Sequence, residues 1–329
     1  MASEFDLIEQ YFSRRPRHAG LGVGDDAALI RPSANQELVV STDLLVEGSH
    51  FFSDVEPESL GWKALAVNLS DIAAMGATPR WATLGCVLCP GLGDGDPPAP
   101  TGAPSSSGSW LEQFSRGFFA CADHYDVDLI GGDTTRGRSG ATTFSVTIIG
   151  EVPHGVALLR GGAQVGDDIW VSGTPGRAAL GLAHLQSRTE LNGAHLAHCL
   201  TALQRPTPRI ELGLALRKVA TSAIDISDGL LADLGHLLKA SGASAKLQIA
   251  GLPDAGLARD AYLSGGDDYE LLFTSPPALA SEIVALGQSL ELPLQRIGAV
   301  CHGQPGTLSV FDQHAANITP KRRGFDHFS

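Results

Sequence analysis

The sequence predicts a mixed α/β (α+β) fold in two domains. Short runs rich in β-branched residues alternate with longer runs of helical periodicity. At 329 residues the chain is longer than one core usually supports, and domains of about 150 residues are the common solution. Its 39 glycines require many tight turns.

Along the chain, ELVVSTDLLV (37–46), WATLGCVL (81–88), VDLIGG (127–132), TTFSVTIIGEV (142–152) and DIWVSG (168–173) read as strands, since branched and aromatic side chains fit a pleated, half-buried surface. Residues 59–77 read as a helix with Leu65, Leu69, Ile72 and Ala73 on one side and Gly76 as its C-terminal stop. Residues 110–125 and 229–242 are also helical, the second with Leu230, Leu234, Leu237 and Leu238 as its buried stripe. Residues 91–109, GLGDGDPPAPTGAPSSSGS, have no periodicity and a single bulky apolar side chain, Leu92, and are expected to form a flexible surface loop. Pro, Gly and a new strand start between 151 and 167 mark the expected boundary, dividing the chain into 1–150 and 151–329.

Composition narrows the function classes. A net charge of -13 disfavours both nucleic-acid binding through a basic surface and an anionic membrane. An acidic protein that handles phosphates needs cations as intermediaries. No 18-residue apolar run exists, and MASEFDLIEQYFSRR is acidic and amphipathic rather than a signal peptide, so the cytoplasm is the expected compartment. Five cysteines do not make a disulfide framework. Cys86 and Cys89 lie in a strand-like run, where positions i and i+3 face opposite sides, so they are not expected to form a zinc or redox pair.

Aspartates stand at the ends of apolar runs. Gly-Asp-Asp occurs in GVGDDAALI (22–30), VGDDIWVSG (165–173) and SGGDDYELLF (264–273), and each copy fits a tight turn or a magnesium site. Ser41, Thr42 and Asp43 interrupt an apolar strand with three oxygen donors, which need partners if buried. Asp71 shares a helix with Asn68 and Lys63 on a side that is polar in an otherwise Ala- and Leu-rich segment. Two glycines before Asp133 permit close approach to a ligand, and Thr134, Thr135 and Arg136 offer phosphate partners. As a hairpin turn the same segment would be unremarkable. Asp225 and Asp228 bracket Ser227 ahead of a helix, which fits a cap, a metal site or both. The chain has no G-x-x-x-x-G-K-[ST] loop, protein-kinase signature, H-E-x-x-H or G-x-S-x-G. His195 and His198 share a helix face with no carboxylate nearby and read as a surface pair.

Taken in order, GVGDDAAL, VVSTDLLVEGSHF, GWKALAVNLSDIAAMGATPRW, LIGGDTTRG, LRGGAQVGDDIWVSGTPG, RPTPR, AIDISDGLLADLGHLL, LSGGDDYELLF and GFDHF resemble the thiamine-monophosphate kinase family over nearly the whole chain. The resemblance implies the two-domain fold shared with aminoimidazole ribonucleotide synthetase and selenophosphate synthetase. In that fold the N-terminal domains pair into a β-barrel across a homodimer, and a C-terminal α/β domain completes the nucleotide and substrate site. It implies phosphoryl transfer from ATP to thiamine monophosphate. The implied magnesium ligands, for several ions, are Asp26, Ser41, Thr42, Asp43, Asp71, Asp133, Asp225 and Asp228, with Asp43, Asp71, Asp133 and Asp228 catalytic. The implied ATP contacts are Gly132, Asp133, Arg160 and Ser227, and the implied thiamine phosphate contacts are His50, Asp267 and Phe325. By the same resemblance Asp25 is a turn residue, Asp167 and Asp168 are structural, and Asp268 has no assigned role.

This chemistry is coherent. The acceptor is a phosphate monoester, largely dianionic at neutral pH, and needs no general base. Repulsion between the two anions is the obstacle, and magnesium held by aspartates offsets it. The chain departs from the family in carrying Asp267 where Glu is frequent, in the enlarged 91–109 connection, and in RSG after GDTTRG. Alternative readings are an aminoimidazole ribonucleotide or selenophosphate type of synthetase, or a non-catalytic magnesium–nucleotide module. Residues 1–24 contain no cysteine, which disfavours the selenophosphate reading.

Overall fold

The computed structural model describes residues 4–89, 109–138 and 140–325. The expected loop at 91–109 lies outside the described residues except for Ser109, as does the end of GFDHF beyond Phe325. Clustering of contacts gives two compact units, Met1–Ile72 with Thr78–His154, and Ala73–Ala77 with Gly155–Ser329.

In chain order the first unit contains α1 (Glu4–Tyr11), β1 (Ala19–Leu21), β2 (Leu29–Ile30), β3 (Gln36–Val46), α2 (Pro57–Ala74), β4 (Thr78–Leu88), α3 (Trp110–His124), β5 (Asp128–Arg136) and β6 (Thr143–Pro153). Its main sheet has the order β3-β6-β4-β5. The β3–β6 and β4–β6 pairs are antiparallel; β4 and β5 are parallel, with α3 in the crossover between them. From Ser59 onward α2 is buried except at Trp62 and Asp71. It stops where predicted, with Gly76 at φ 63° and its N–H on the Ala73 carbonyl. Phe114 of α3 stacks on Phe144 of β6 at 4.3 Å and fills the space between helix and sheet.

Alternation along β3 gives it two characters. Val39, Ser41, Asp43 and Leu45 are buried or half-buried, whereas Leu38, Val40, Thr42 and Leu44 are exposed. At β5 the structure differs from the sequence reading. The strand does not end at Gly132; it runs through GDTTR, pairing Gly132 with Leu84 and continuing to Arg136 opposite Leu88. A full-length neighbour strand and two β-branched threonines carry the ladder past the glycines.

The second unit contains β7 (Asp168–Ser172), α4 (Arg177–Leu185), α5 (Gly193–Gln204), α6 (Ile210–Leu216), β8 (Ser222–Asp225), α7 (Leu230–Ala240), β9 (Ser244–Gln248), α8 (Leu257–Ser264), β10 (Leu271–Ser275), α9 (Ala280–Ser289), β11 (Leu294–Cys301) and β12 (Leu308–Phe311). The sheet order is β12-β9-β11-β7-β10-β8, antiparallel except for β12 with β9. Leu230, Leu234, Leu237 and Leu238 of α7 pack with Ile169, Val171, Ile224 and Leu272 in the core. Every residue of β7, β8 and β10 is buried. That places the end of β8, and the turn after it, on a rigid base.

All five cysteines are free. Cys86 is buried, while Cys89, just past the end of β4, donates its thiol to the Gly140 carbonyl. Among the described residues no helix is long and apolar enough to cross a membrane.

Candidate active site

In the first unit the polar residues of β3 meet the polar side of α2. Ser41 Oγ donates to Asp71 Oδ2 at 2.5 Å, and the Asp43 N–H donates to Asn68 Oδ1 at 3.0 Å. Asn68 is held in turn by its own Nδ2 on the Ala64 carbonyl at 3.1 Å. Strand alternation puts Ser41 and Asp43 on one face; a helix spacing of three puts Asn68 and Asp71 on another, facing it. Burial, and then the neighbouring Asp71 carboxylate, push the Asp43 carboxyl up to about 6. Thr42 points to the opposite face of β3, where its hydroxyl pairs with Thr147 Oγ1 at 2.7 Å. The structure therefore does not bring the Thr42 side chain to the other implied ligands of this strand. His50, in the turn after β3, accepts the Val46 N–H on Nδ1 at 3.0 Å.

Asp26 lies between β1 and β2. Asp25 accepts the Asp26 N–H at 2.8 Å, the bond of a turn residue, and the Asp26 side chain is exposed. Asp26, Gly132 and Asp133 line one cavity of about 450 Å³, whose apolar wall includes Phe5 and Ile8 of α1 and Phe12 just after it. The chain leading into β1 is pinned to β5 by buried Asp128, which accepts the N–H groups of Arg17 at 2.7 Å and His18 at 2.5 Å.

In the second unit Asp225 ends β8, buried, and Ser227 and Asp228 follow in the turn to α7, exposed and half-buried. The GGDD segment closes over that turn. Asp267 N–H donates to the Ser227 carbonyl at 2.8 Å, and Tyr269 N–H to the Ile226 carbonyl at 2.8 Å. Phe325 N–H reaches the Asp228 carbonyl at 2.9 Å, so the chain beside Asp228 carries the implied substrate residue Phe325. Asp267 has a left-handed backbone at φ 68° and its carboxylate accepts the Tyr269 hydroxyl at 2.9 Å. Arg160 is placed differently. Its carbonyl accepts Ser241 Oγ at 3.0 Å beyond the C-terminus of α7, whereas Ser227 precedes the N-terminus of that helix, which is about 16 Å long.

Sequence reasoning gave no role to the groups that hold this turn. Asp268, fully inside, accepts the N–H groups of Gly176 at 2.6 Å and Ala178 at 3.3 Å at the start of α4; burial holds its carboxyl well above the usual range. Glu270 takes both arms of Arg209, at 2.7 and 2.5 Å, and the Ser172 hydroxyl at 2.5 Å. Asp233 accepts three N–H groups of the turn itself. One signal for Asp233 was present: a carboxylate inside the leucine stripe of α7 must have a buried partner. Asp167 and Asp168 are structural, as the resemblance implies. The first accepts Gln164 N–H at 2.9 Å and Thr221 Oγ1 at 2.6 Å; the second accepts Arg296 Nε at 2.6 Å.

Among the described residues no three His, Cys, Asp or Glu side chains converge closely enough to hold a metal unaided. The residues still fit magnesium. That ion is commonly held by one or two carboxylates with phosphate and water completing its shell, and Asp43 beside Asp71 is an oxygen-only pair whose mutual repulsion a cation would relieve.

A family model described as AIR synthase related protein, N-terminal domain, matches residues 24–152, and its C-terminal counterpart matches residues 164–311. A thiamine-monophosphate kinase of Salmonella typhimurium is 45% identical over 341 residues, covering 99% of this chain and 98% of that protein. One from Escherichia coli is 44% identical over 340 residues, with 99% and 98% covered. The crystal structure of thiamine-monophosphate kinase from Stenotrophomonas maltophilia superposes with a TM-score of 0.76 at 45% identity, covering 91% of this chain and 92% of that one. AaThiL complexed with AMPPCP and TMP gives a TM-score of 0.71 at 29% identity, with 98% and 97% covered. The hydrogenase maturation protein HypE, at 20% identity and a TM-score of 0.75, shares the fold.

Proposed function

The chain belongs to the thiamine-monophosphate kinase family of AIR synthase related proteins, and from that premise we propose that it transfers the γ-phosphoryl group of ATP to thiamine monophosphate, giving thiamine diphosphate and ADP. The observation that carries this reading is the partly buried seam of Ser41, Asp43, Asn68 and Asp71, two close carboxylates with a hydroxyl and an amide beside them in a chain of matching length and order. When bound, magnesium would offset the negative charge of the phosphates.

The residues of this chain orient rather than react. Asp43 and Asp71, with Ser41, hold a metal position on the β3–α2 seam; Asp26 and Asp133 supply carboxylates beside the cavity, where Gly132 lets the nucleotide phosphates approach the main chain. Asp225 and Asp228 supply a second carboxylate position on the β8–α7 turn, and Ser227 contacts ATP. His50, Asp267 and Phe325 receive thiamine monophosphate. A phosphate acceptor already carries its nucleophilic oxygen as an anion, so positioning and charge neutralisation account for the catalysis. The compartment we assign is the cytoplasm.

The test is an ADP-release assay with thiamine monophosphate, free thiamine and aminoimidazole precursors as competing acceptors. Turnover is expected with thiamine monophosphate alone. No ADP release with that acceptor, under magnesium and ATP excess, overturns the reading.

We also assign a homodimer built on the exposed face of the first unit's sheet. Val40 is 60% exposed, Leu44 54%, Leu38 43% and Val87 38%, a concentration of apolar side chains that a solitary sheet would not leave in water. Leu44→Lys should shift the sedimenting species from twice the chain mass to the chain mass while its circular dichroism stays unchanged. A variant that still sediments as the dimer would move the interface elsewhere.

A further inference from the structure

We infer that Asp233 is a positioning residue that fixes the Ser227–Asp228 turn in its ligand-ready shape, an inference that rests on the kinase reading for what the turn binds. A single oxygen, Asp233 Oδ2, accepts three successive main-chain N–H groups: Ser227 at 3.1 Å, Asp228 at 3.1 Å and Gly229 at 3.0 Å. A carboxylate reaching back to a helix N-cap ordinarily satisfies one such group. Here two of the three belong to residues ahead of the cap, so the bond pattern does more than begin α7.

The rest of the turn is closed by other parts of the same unit. The Ile226 N–H goes to the Glu270 carbonyl, and the carbonyls of Ile226, Ser227 and Asp228 accept from Tyr269, Asp267 and Phe325. The Gly229 carbonyl accepts the Asp233 N–H at 3.0 Å. Every main-chain polar group from the Ile226 N–H to the Gly229 carbonyl is thereby engaged. No main-chain N–H of the turn is left to meet an anionic ligand, so contacts there must come from the side chains of Ser227 and Asp228. Their directions depend on three peptide planes that hang from one buried atom, since Asp233 is 3% exposed. Without that acceptor three N–H groups lose their partner, that of Gly229 inside the protein, and the cheapest remedy is for the turn to open toward water. The structural contribution costs the protein a buried carboxylate; a leucine there would have continued the apolar stripe.

Hydrogen exchange on the wild-type protein tests the geometry without any substitution. The amides of Ser227, Asp228 and Gly229 should be protected to the level of mid-α7 amides although two precede the helix; exchange at the rate of an open loop overturns the inference. Binding of magnesium with AMPPCP, measured by calorimetry well below the melting temperature, tests the consequence. Asp233→Ala should weaken binding at least tenfold, and Asp233→Asn, which keeps an acceptor oxygen, should stay within threefold of wild type. Leu237→Val, buried on the same helix but remote from the turn, should lower the melting temperature and leave binding unchanged. Equal binding by Asp233→Ala and wild type, or equal weakening by Leu237→Val, overturns the positioning role. If the wild type binds the nucleotide but releases no ADP with thiamine monophosphate, the kinase reading fails while the exchange result still decides whether Asp233 holds the turn.

Discussion

Replacing Asp43 by Asn should lower turnover on the order of a thousandfold, the scale seen when a preorganised electrostatic group is removed, and at the same time make the ligand-free protein more stable. The two effects have one origin. Burial and Asp71 push the Asp43 carboxyl from 3.8 to about 6, so at neutral pH the folded state holds a charge that the unfolded state holds more cheaply. A displacement of about two units corresponds to about 3 kcal/mol. Because the folded value lies above the unfolded one, the folded state binds the extra proton between about pH 4 and pH 6. Stability therefore falls as pH rises through that window, and the penalty is complete at neutral pH. Denaturant melts at pH 5 and pH 8 check this: wild type should lose stability between them and Asp43→Asn should lose less. Magnesium with AMPPCP should restore the wild type and do little for the variant. A variant that is both inactive and less stable than wild type at pH 8 would mean that Asp43 is a structural residue.

The second large effect is expected at Gly132. A Cβ there would stand 1.9 Å from the Leu84 carbonyl oxygen and 2.7 Å from its carbon, at a φ of 153°. Neither atom can rotate away, because both are main chain in the β4–β5 ladder. Gly132→Ala should destabilise the protein by about 3 kcal/mol or more, at or above the usual overpacking range, and lower the melting temperature by several degrees. Gly131→Ala is the internal comparison, since its nearest neighbour is a Thr83 methyl at 4.0 Å, ordinary contact. Similar melting temperatures for the two alanine variants would show that β4 and β5 are not locked at this spacing. The pair also separates the two reasons for glycine in LIGGD. The second glycine is required by the neighbouring strand before any ligand is considered.

Much of the fold was legible because it rests on local periodicity. The β3 alternation, the α2 and α7 stripes and the stop at Gly76 are dictated within a dozen residues. GDTTR was misread as the end of a strand because two glycines weaken a strand locally, and only the parallel partner β4 restores it. In the candidate site, Asp43, Asp71, Asp225 and Asp228 stood out because they lie within or at the ends of apolar runs. The partners of Asp268 and Glu270 did not, since Gly176, Ala178 and Arg209 lie 61 to 92 residues away in sequence. The third GDD illustrates the limit: Asp267 is half-buried at the turn with its carboxylate on the Tyr269 hydroxyl, while Asp268 beside it is spent on the start of another helix.

The β3–β6 ladder pairs Gln36 with Pro153 through Val46 with Thr143 without a bulge, whereas both other ladders of that sheet contain a register shift. A strand that carries acids on one face and an apolar surface on the other cannot absorb an extra residue, because a slip of one position exchanges the faces. Insertions and deletions should therefore accumulate elsewhere in this lineage and be purged from residues 36–46. A single added codon in that stretch would turn the Asp43 face outward and the apolar face inward in one event.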